Sequence, residues 1–106
     1  MRLGAHERAE ADLREALELS PKDRRLRAWL GLALLRLGRE EQALSEFESS
    51  LDRPEPALAP VFLERGELHV RLGRIPAAQS DFRMAFMLAP RSPEGLKARD
   101  RLGSLA

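Results

Sequence analysis

The sequence contains no cysteine, tyrosine, threonine or asparagine, and its only β-branched residues are Val61, Val70 and Ile75. Without cysteine the chain forms no disulfide and no thiolate metal site. Because strands favour β-branched and aromatic residues, a fold built on a sheet is close to excluded. The longest apolar run, residues 28–35, is far shorter than the roughly 20 residues that span a bilayer. We therefore expect a small all-α protein without a membrane span.

Charges of the two signs nearly balance, with 18 Lys and Arg against 17 Asp and Glu in 106 residues. A formal net charge of +1 gives no large field to attract nucleic acid or an anionic membrane. The one basic cluster, Arg24, Arg25 and Arg27, lacks the interleaved aromatic residues of nucleic-acid-binding surfaces. Residues 1–3 lead into a charged stretch without a secretory apolar segment, so we expect a cytoplasmic protein.

The chain repeats itself at intervals of 34 or 35 residues. Arg-Leu-Gly occurs at 2–4, 36–38 and 71–73 with this spacing, and once more at 101–103, outside the spacing. An alanine and a phenylalanine follow at the same distances after two other glycines, as Gly31, Ala43 and Phe47 and again as Gly66, Ala78 and Phe82. Agreement at so many linked positions indicates internal repetition of one structural unit.

Each period predicts two helices, because apolar residues recur at helical spacing on either side of a central glycine. Gly38 and Gly73 are predicted to close first helices in the left-handed conformation. Prolines are predicted to end the second helices at Pro21, Pro54 with Pro56, and Pro90. A last helix is predicted from Ser92 as its N-cap and Pro93 as its first residue, and it includes the final Arg-Leu-Gly.

This pattern resembles the tetratricopeptide repeat (TPR), a helix–turn–helix of 34 residues. The third unit has the signature residues Phe62, Gly66, His69, Gly73, Ala78, Phe82, Ala85 and Pro90. The second unit has Leu30, Gly31, Leu34, Gly38, Ala43 and Phe47, with Arg27 in place of the usual Trp. The first unit has only the later half, Gly4, Ala9, Leu13, Ala16 and Pro21. The resemblance implies a right-handed superhelical array of helix pairs.

We divide this single predicted domain into the second helix of a first repeat (1–21), a second repeat (22–56), a third repeat (57–90) and a capping helix (91–106). The second repeat is one residue longer than the TPR pattern, and the additional residue lies in 52–56. We therefore expect this loop between repeats to depart from the standard geometry. The first repeat begins at its inter-helix turn, which leaves Ala9, Leu13 and Ala16 without their usual cover. Three explanations stay open: a fragment of a longer array, a homodimer formed through this helix, or a helix that tolerates partial exposure.

Catalysis by this chain is not expected, because no set of acids, bases and nucleophiles is recognisable. His69 falls where the family buries a large residue, which favours a partly buried, hydrogen-bonded structural role, and His6 is expected to be exposed. No metal-binding or phosphate-binding motif appears, so no metal and no cofactor is predicted. Opposite charges four residues apart, as in Glu10 with Arg14 and Glu67 with Arg71, are typical of a solvated helix surface.

In the TPR family the first helix of each repeat lines a concave groove. Carried over position by position, the resemblance implies a peptide-binding set in the second unit, namely Arg25, Ala28, Trp29, Leu32, Leu35 and Arg36. The set in the third unit is Leu63, Glu64, Glu67, Val70 and Arg71. Trp and Arg are common among binding hot spots, although Trp29 could instead pack on a neighbouring helix. The groove positions that grip a C-terminal carboxylate in chaperone-binding TPR domains are here Ala28, Trp29, Leu32, Pro60 and Glu64, which disfavours that class of partner.

The predicted function is non-catalytic binding of a peptide or protein segment, with a scaffolding or assembly role. The alternative is a self-associating structural module or a regulatory segment of a larger TPR protein.

Overall fold

The computed structural model describes residues 3–105, which form six α-helices and one short 3-10 helix. The α-helices are α1 (Ala5–Leu19), α2 (Arg24–Arg36), α3 (Glu40–Ser50), α4 (Ala59–Arg71), α5 (Ile75–Leu88) and α6 (Pro93–Leu105), and the 3-10 helix, Pro56–Leu58, directly precedes α4. Residues 3–105 contain no strand, so the predicted all-α class is confirmed. Arg2 of the first Arg-Leu-Gly lies outside the described residues.

The chain divides into two compact units, with the boundary between Asp52 and Arg53. In unit 1, α1 packs on α2 and α2 packs on α3. In unit 2, α4 packs on α5, and α6 packs on both of them. The loop after α3, which holds the extra residue of the second repeat, leads into the 3-10 helix, and this short helix contacts α4 and α5.

The helix ends follow the predicted chemistry. Gly38 and Gly73 have φ angles of 77° and 75°, the left-handed region in which a side chain is strained, as the sequence predicts. The turns are closed by backbone N–H groups of the next residues, which donate to carbonyls five positions earlier. Ser92 Oγ accepts from the Gly95 N–H at 2.9 Å, and Pro93 opens α6, so the predicted N-cap is confirmed. Gly103 lies inside α6 and closes no helix in the way that Gly38 and Gly73 do.

Each unit is built around a fully buried phenylalanine that faces a glycine. Phe47 of α3 lies against Gly31 of α2, and Phe82 of α5 lies against Gly66 of α4. A Cβ on Gly31 would be 2.5 Å from Cε1 of Phe47, and one on Gly66 would be 2.7 Å from Cε1 of Phe82. The missing side chain thus allows the two helices of a pair to approach closely over an aromatic ring.

Candidate functional site

The outward residues of α2 form a short amphipathic row, Arg25, Trp29, Leu32 and Arg36, which we call the α2 row. Their spacing of three or four residues places them on one side of the helix. Trp29 and Leu32 are half-buried, whereas Arg25 and Arg36 at the two ends are exposed. The row therefore presents an apolar centre between two cationic ends.

The position of α2 is fixed by its cap and by its buried residues. Asp23 begins the helix, since its carboxylate accepts from the N–H groups of Arg25 and Leu26 at 3.0 and 3.3 Å. Ala28 is fully buried and Leu35 is 9% exposed. These two residues, which were predicted to contact a peptide, consequently belong to the core and anchor α2 there.

The predicted residues of α4 differ in how much of each side chain reaches the surface. Leu63 is buried, Glu64 and Val70 are half-buried and Arg71 is exposed. Glu67 is engaged by the last helix: Arg101 of α6 donates to its two oxygens from Nε at 2.7 Å and from Nη2 at 3.1 Å.

This bidentate pair also affects the pKa of Arg101. The hydrogen bond from Arg101 to Glu67 raises the pKa of the guanidinium, against an opposing effect of burial. Glu67 therefore fixes α6 on α4 through a charge-assisted contact.

The residues singled out for self-association share one side of α1. Ala9, Leu13 and Ala16 are all half-buried. α1 has no fully buried residue, whereas each of the other five α-helices has at least two. Glu10 of the same helix accepts from Arg14 and from Arg39, both at 3.0 Å, so α1 is also tied to the start of α3. The predicted Glu10–Arg14 pair is present.

An open cleft of about 420 Å³ lies within unit 1 between α1, α2 and α3. Arg27 crosses it, donating to the Pro21 carbonyl at 3.0 Å and to Glu46 at 3.4 Å. A second cleft of about 390 Å³ shares Arg14 and Glu46 with the first. The sequence carried one sign of this feature: Arg27 stands where the TPR pattern usually has a bulky aromatic residue.

The polar cluster of unit 2 consists of Arg65 and His69 of α4 and Asp81 of α5. Arg65 donates to the two oxygens of Asp81 at 2.8 and 2.6 Å, and Asp81 is only 3% exposed. His69 Nε2 is 3.7 Å from Asp81 Oδ2, beyond hydrogen-bonding distance. His69 Nδ1 is buried and has no hydrogen-bond partner among residues 3–105. His69 is therefore partly buried, as expected, but the expected side-chain hydrogen bond is absent from the described part of the chain, because Arg65 already occupies the carboxylate.

The environment of His69 lowers the pKa of its imidazole below the usual 6.5. Burial is the main cause, because it removes water from the charged form. The negative charge of Asp81 opposes this effect, and the positive charges of Arg65 and Arg74 add to it.

A family model described as tetratricopeptide repeat matches residues 1–59, more than half of the chain. The chain belongs to the tetratricopeptide repeat family. TPR repeats generally mediate protein–protein interaction, and the family is typically non-catalytic. Neither a curated protein nor a solved structure matches the chain.

Residues 3–105 contain neither a candidate metal site nor a helix that could span a membrane. Across residues 3–105, no three side chains come together in a way that could hold a metal ion. No helix of that described stretch has both the length and the apolar character needed to cross a membrane.

Proposed function

We propose that this TPR chain is a non-catalytic interaction module that binds a segment of another protein through the outward faces of its first helices. The α2 row is the principal contact surface, and Glu64, Val70 and Arg71 of α4 form a second one. The observation that carries the proposal is the α2 row itself, in which the one tryptophan of the chain lies partly exposed beside Leu32. Trp and Arg are the residue types most enriched among energetic hot spots of protein interfaces.

The chemistry of the α2 row favours an extended or helical peptide with an apolar side chain at its centre. That side chain would cover Trp29 and Leu32, while acidic or carbonyl groups of the peptide would meet Arg25 and Arg36. Ala28 and Leu35 hold the row in place from the core. Glu64 on α4 disfavours a partner that ends in a clamped carboxylate. We propose a cytoplasmic scaffolding or assembly role without a cofactor, a metal or nucleic acid.

Replacing Leu32 by glutamate is expected to weaken peptide binding by about 30-fold or more, as for loss of a hot spot of about 2 kcal/mol. The physical reason is that a buried carboxylate would replace the apolar centre of the contact. Random peptides displayed on phage would be selected on the full chain, and a selected synthetic peptide would then be titrated by Trp29 fluorescence.

The matched control is Met87→Glu, which places the same charge at a side chain that is 67% exposed on α5. This variant should bind the peptide as the unchanged chain does, and both variants should keep their helical circular dichroism. The proposal fails if Leu32→Glu binds normally or if selected peptides leave the fluorescence of Trp29 unchanged.

Self-association is a second candidate function, and the burial pattern of α1 favours it. The face that holds Ala9, Leu13 and Ala16 is half-buried, and α1 contributes no buried residue to unit 1. A second copy of the chain would remove this apolar face from water, at about 25 cal/mol for each Å² of apolar surface covered.

For this candidate, Leu13→Glu is expected to convert a dimer into a monomer, because the new charge would be buried at the contact. Leu19→Glu is the matched control on the same helix, since Leu19 is 84% exposed. Size-exclusion chromatography with light scattering measures the mass of both variants. A monomeric unchanged chain at all concentrations, or a dimer that Leu13→Glu leaves intact, would refute self-association through α1.

A further inference from the structure

The surroundings of His69 suit a neutral imidazole and do not suit a charged one. A neutral ring has one N–H donor and one acceptor nitrogen, whereas the protonated ring has two donors. His69 Nδ1 has no partner in the described part of unit 2, so a proton there would create a buried N–H without an acceptor. A buried donor without a partner is costly, and the cost rises when the group is charged.

At the other ring nitrogen, the charge of Asp81 compensates the proton only in part, because burial outweighs it. Asp81 is the acidic group near Nε2, but both of its oxygens already accept short hydrogen bonds from Arg65. His69 Nε2 is 3.7 Å from Asp81 Oδ2, whereas the Arg65 guanidinium is within hydrogen-bonding distance of both carboxylate oxygens. The ring therefore contacts a carboxylate whose charge is already compensated.

The other groups that face this ring oppose a further positive charge. Arg65 on α4 and Arg74 in the turn to α5 are both cations that act on His69. The 3-10 helix Pro56–Leu58 contains no titratable side chain. From α6, Arg101 is held by Glu67, which lies two positions before His69 and so on another side of α4.

We propose that His69 is a proton-sensitive contact of unit 2, which holds α4 against α5 when its ring is neutral and loosens that pair when the ring is protonated. The device is confined to unit 2, since the only other histidine, His6, lies exposed in α1. Mild acid thus weakens the helix pair that contains His69, at a pH where most carboxylates remain ionised.

The direction of the pH dependence follows from proton linkage. A histidine that binds its proton less tightly in the folded chain than in the unfolded chain leaves the unfolded state with more bound protons. The contribution to stability is therefore complete above pH 6.5 and is lost as the pH falls below that value. Because one proton is involved, the unfolding equilibrium constant rises by at most about tenfold per pH unit.

The first measurement follows the ring protons of the intact chain by NMR between about pH 8 and about pH 4.5, a range that brackets the ordinary pKa of histidine. Only two histidines contribute signals, and the variant His6→Gln assigns them by removing one. We expect His69 to titrate below pH 6.5. Titration at or above that value would overturn the proposal, and this measurement needs no substitution at position 69.

The second measurement is urea unfolding of the full chain at several pH values across the same range. The unfolding constant of the unchanged chain should rise more steeply on acidification than that of His69→Gln, whose side chain is polar but takes up no proton. The variant His6→Gln should follow the unchanged chain, since it removes an exposed imidazole from α1. Parallel pH profiles for His69→Gln and the unchanged chain would overturn the proposal.

Discussion

Replacing Phe82 by alanine is expected to lower the free energy of unfolding by about 3–5 kcal/mol, the range for a large buried aromatic residue. The ring is fully buried, and Arg101 of α6 lies over it with its guanidinium carbon 5.6 Å from the ring centre. Gly66 lies opposite the ring on α4 and has no side chain that could move into the space left by Phe82. The cavity would therefore stay largely unfilled.

Urea unfolding followed by far-UV circular dichroism measures this loss. Phe86→Ala on the same helix is the matched control, because Phe86 is only half-buried and its removal should cost clearly less. In unit 1, Phe47→Ala should reproduce the large loss, since Phe47 is fully buried against Gly31. Equal losses for Phe82→Ala and Phe86→Ala would contradict the assigned packing.

Replacing Asp81 by alanine is expected to cost about 3–5 kcal/mol, because it leaves the partly buried Arg65 without its counter-charge. Asp81 has 5% of its side-chain surface exposed and Arg65 has 22%, so water can compensate only a small part of the loss. The double replacement Arg65→Met with Asp81→Leu should cost much less, since neither an unpaired charge nor a polar group remains.

The contrast for Asp81→Ala is Asp52→Ala. Asp52 also pairs with an arginine, Arg24, at 3.2 Å, but its side chain is 61% exposed. An exposed pair of this kind contributes about 0–1 kcal/mol. Urea unfolding of both variants compares the two directly, and similar losses would show that the Arg65–Asp81 pair is no more important than a surface pair.

The sequence was sufficient for features that depend on neighbours along the chain. Helical spacing and repeated glycines predicted the all-α class, and the left-handed conformation of Gly38 and Gly73 was read from their place at helix ends. Ser92 with Pro93 predicted the start of α6 in the same way. These features are local, because a cap or a turn is decided by a few consecutive residues.

Contacts between helices were harder to predict, because the spacing of residues gives the side of a helix but not what covers it. The spacing predicts that Glu67 pairs with Arg71, four residues away, whereas both oxygens of Glu67 accept hydrogen bonds from Arg101 on α6. Ala28, Leu35 and Leu63 were placed in a contact surface by analogy and are buried. The peptide-binding role of the remaining positions stays a prediction.

The order in which the helices pack has a consequence for how the chain acquires its structure. Packed helices within each unit are consecutive along the chain, except that α6 also reaches α4 across α5. Short connections make the entropy of loop closure small, and chains with such local contacts fold on microsecond to millisecond timescales. The packing of α4 on α5 therefore requires little loss of chain entropy, since a short turn joins the two helices.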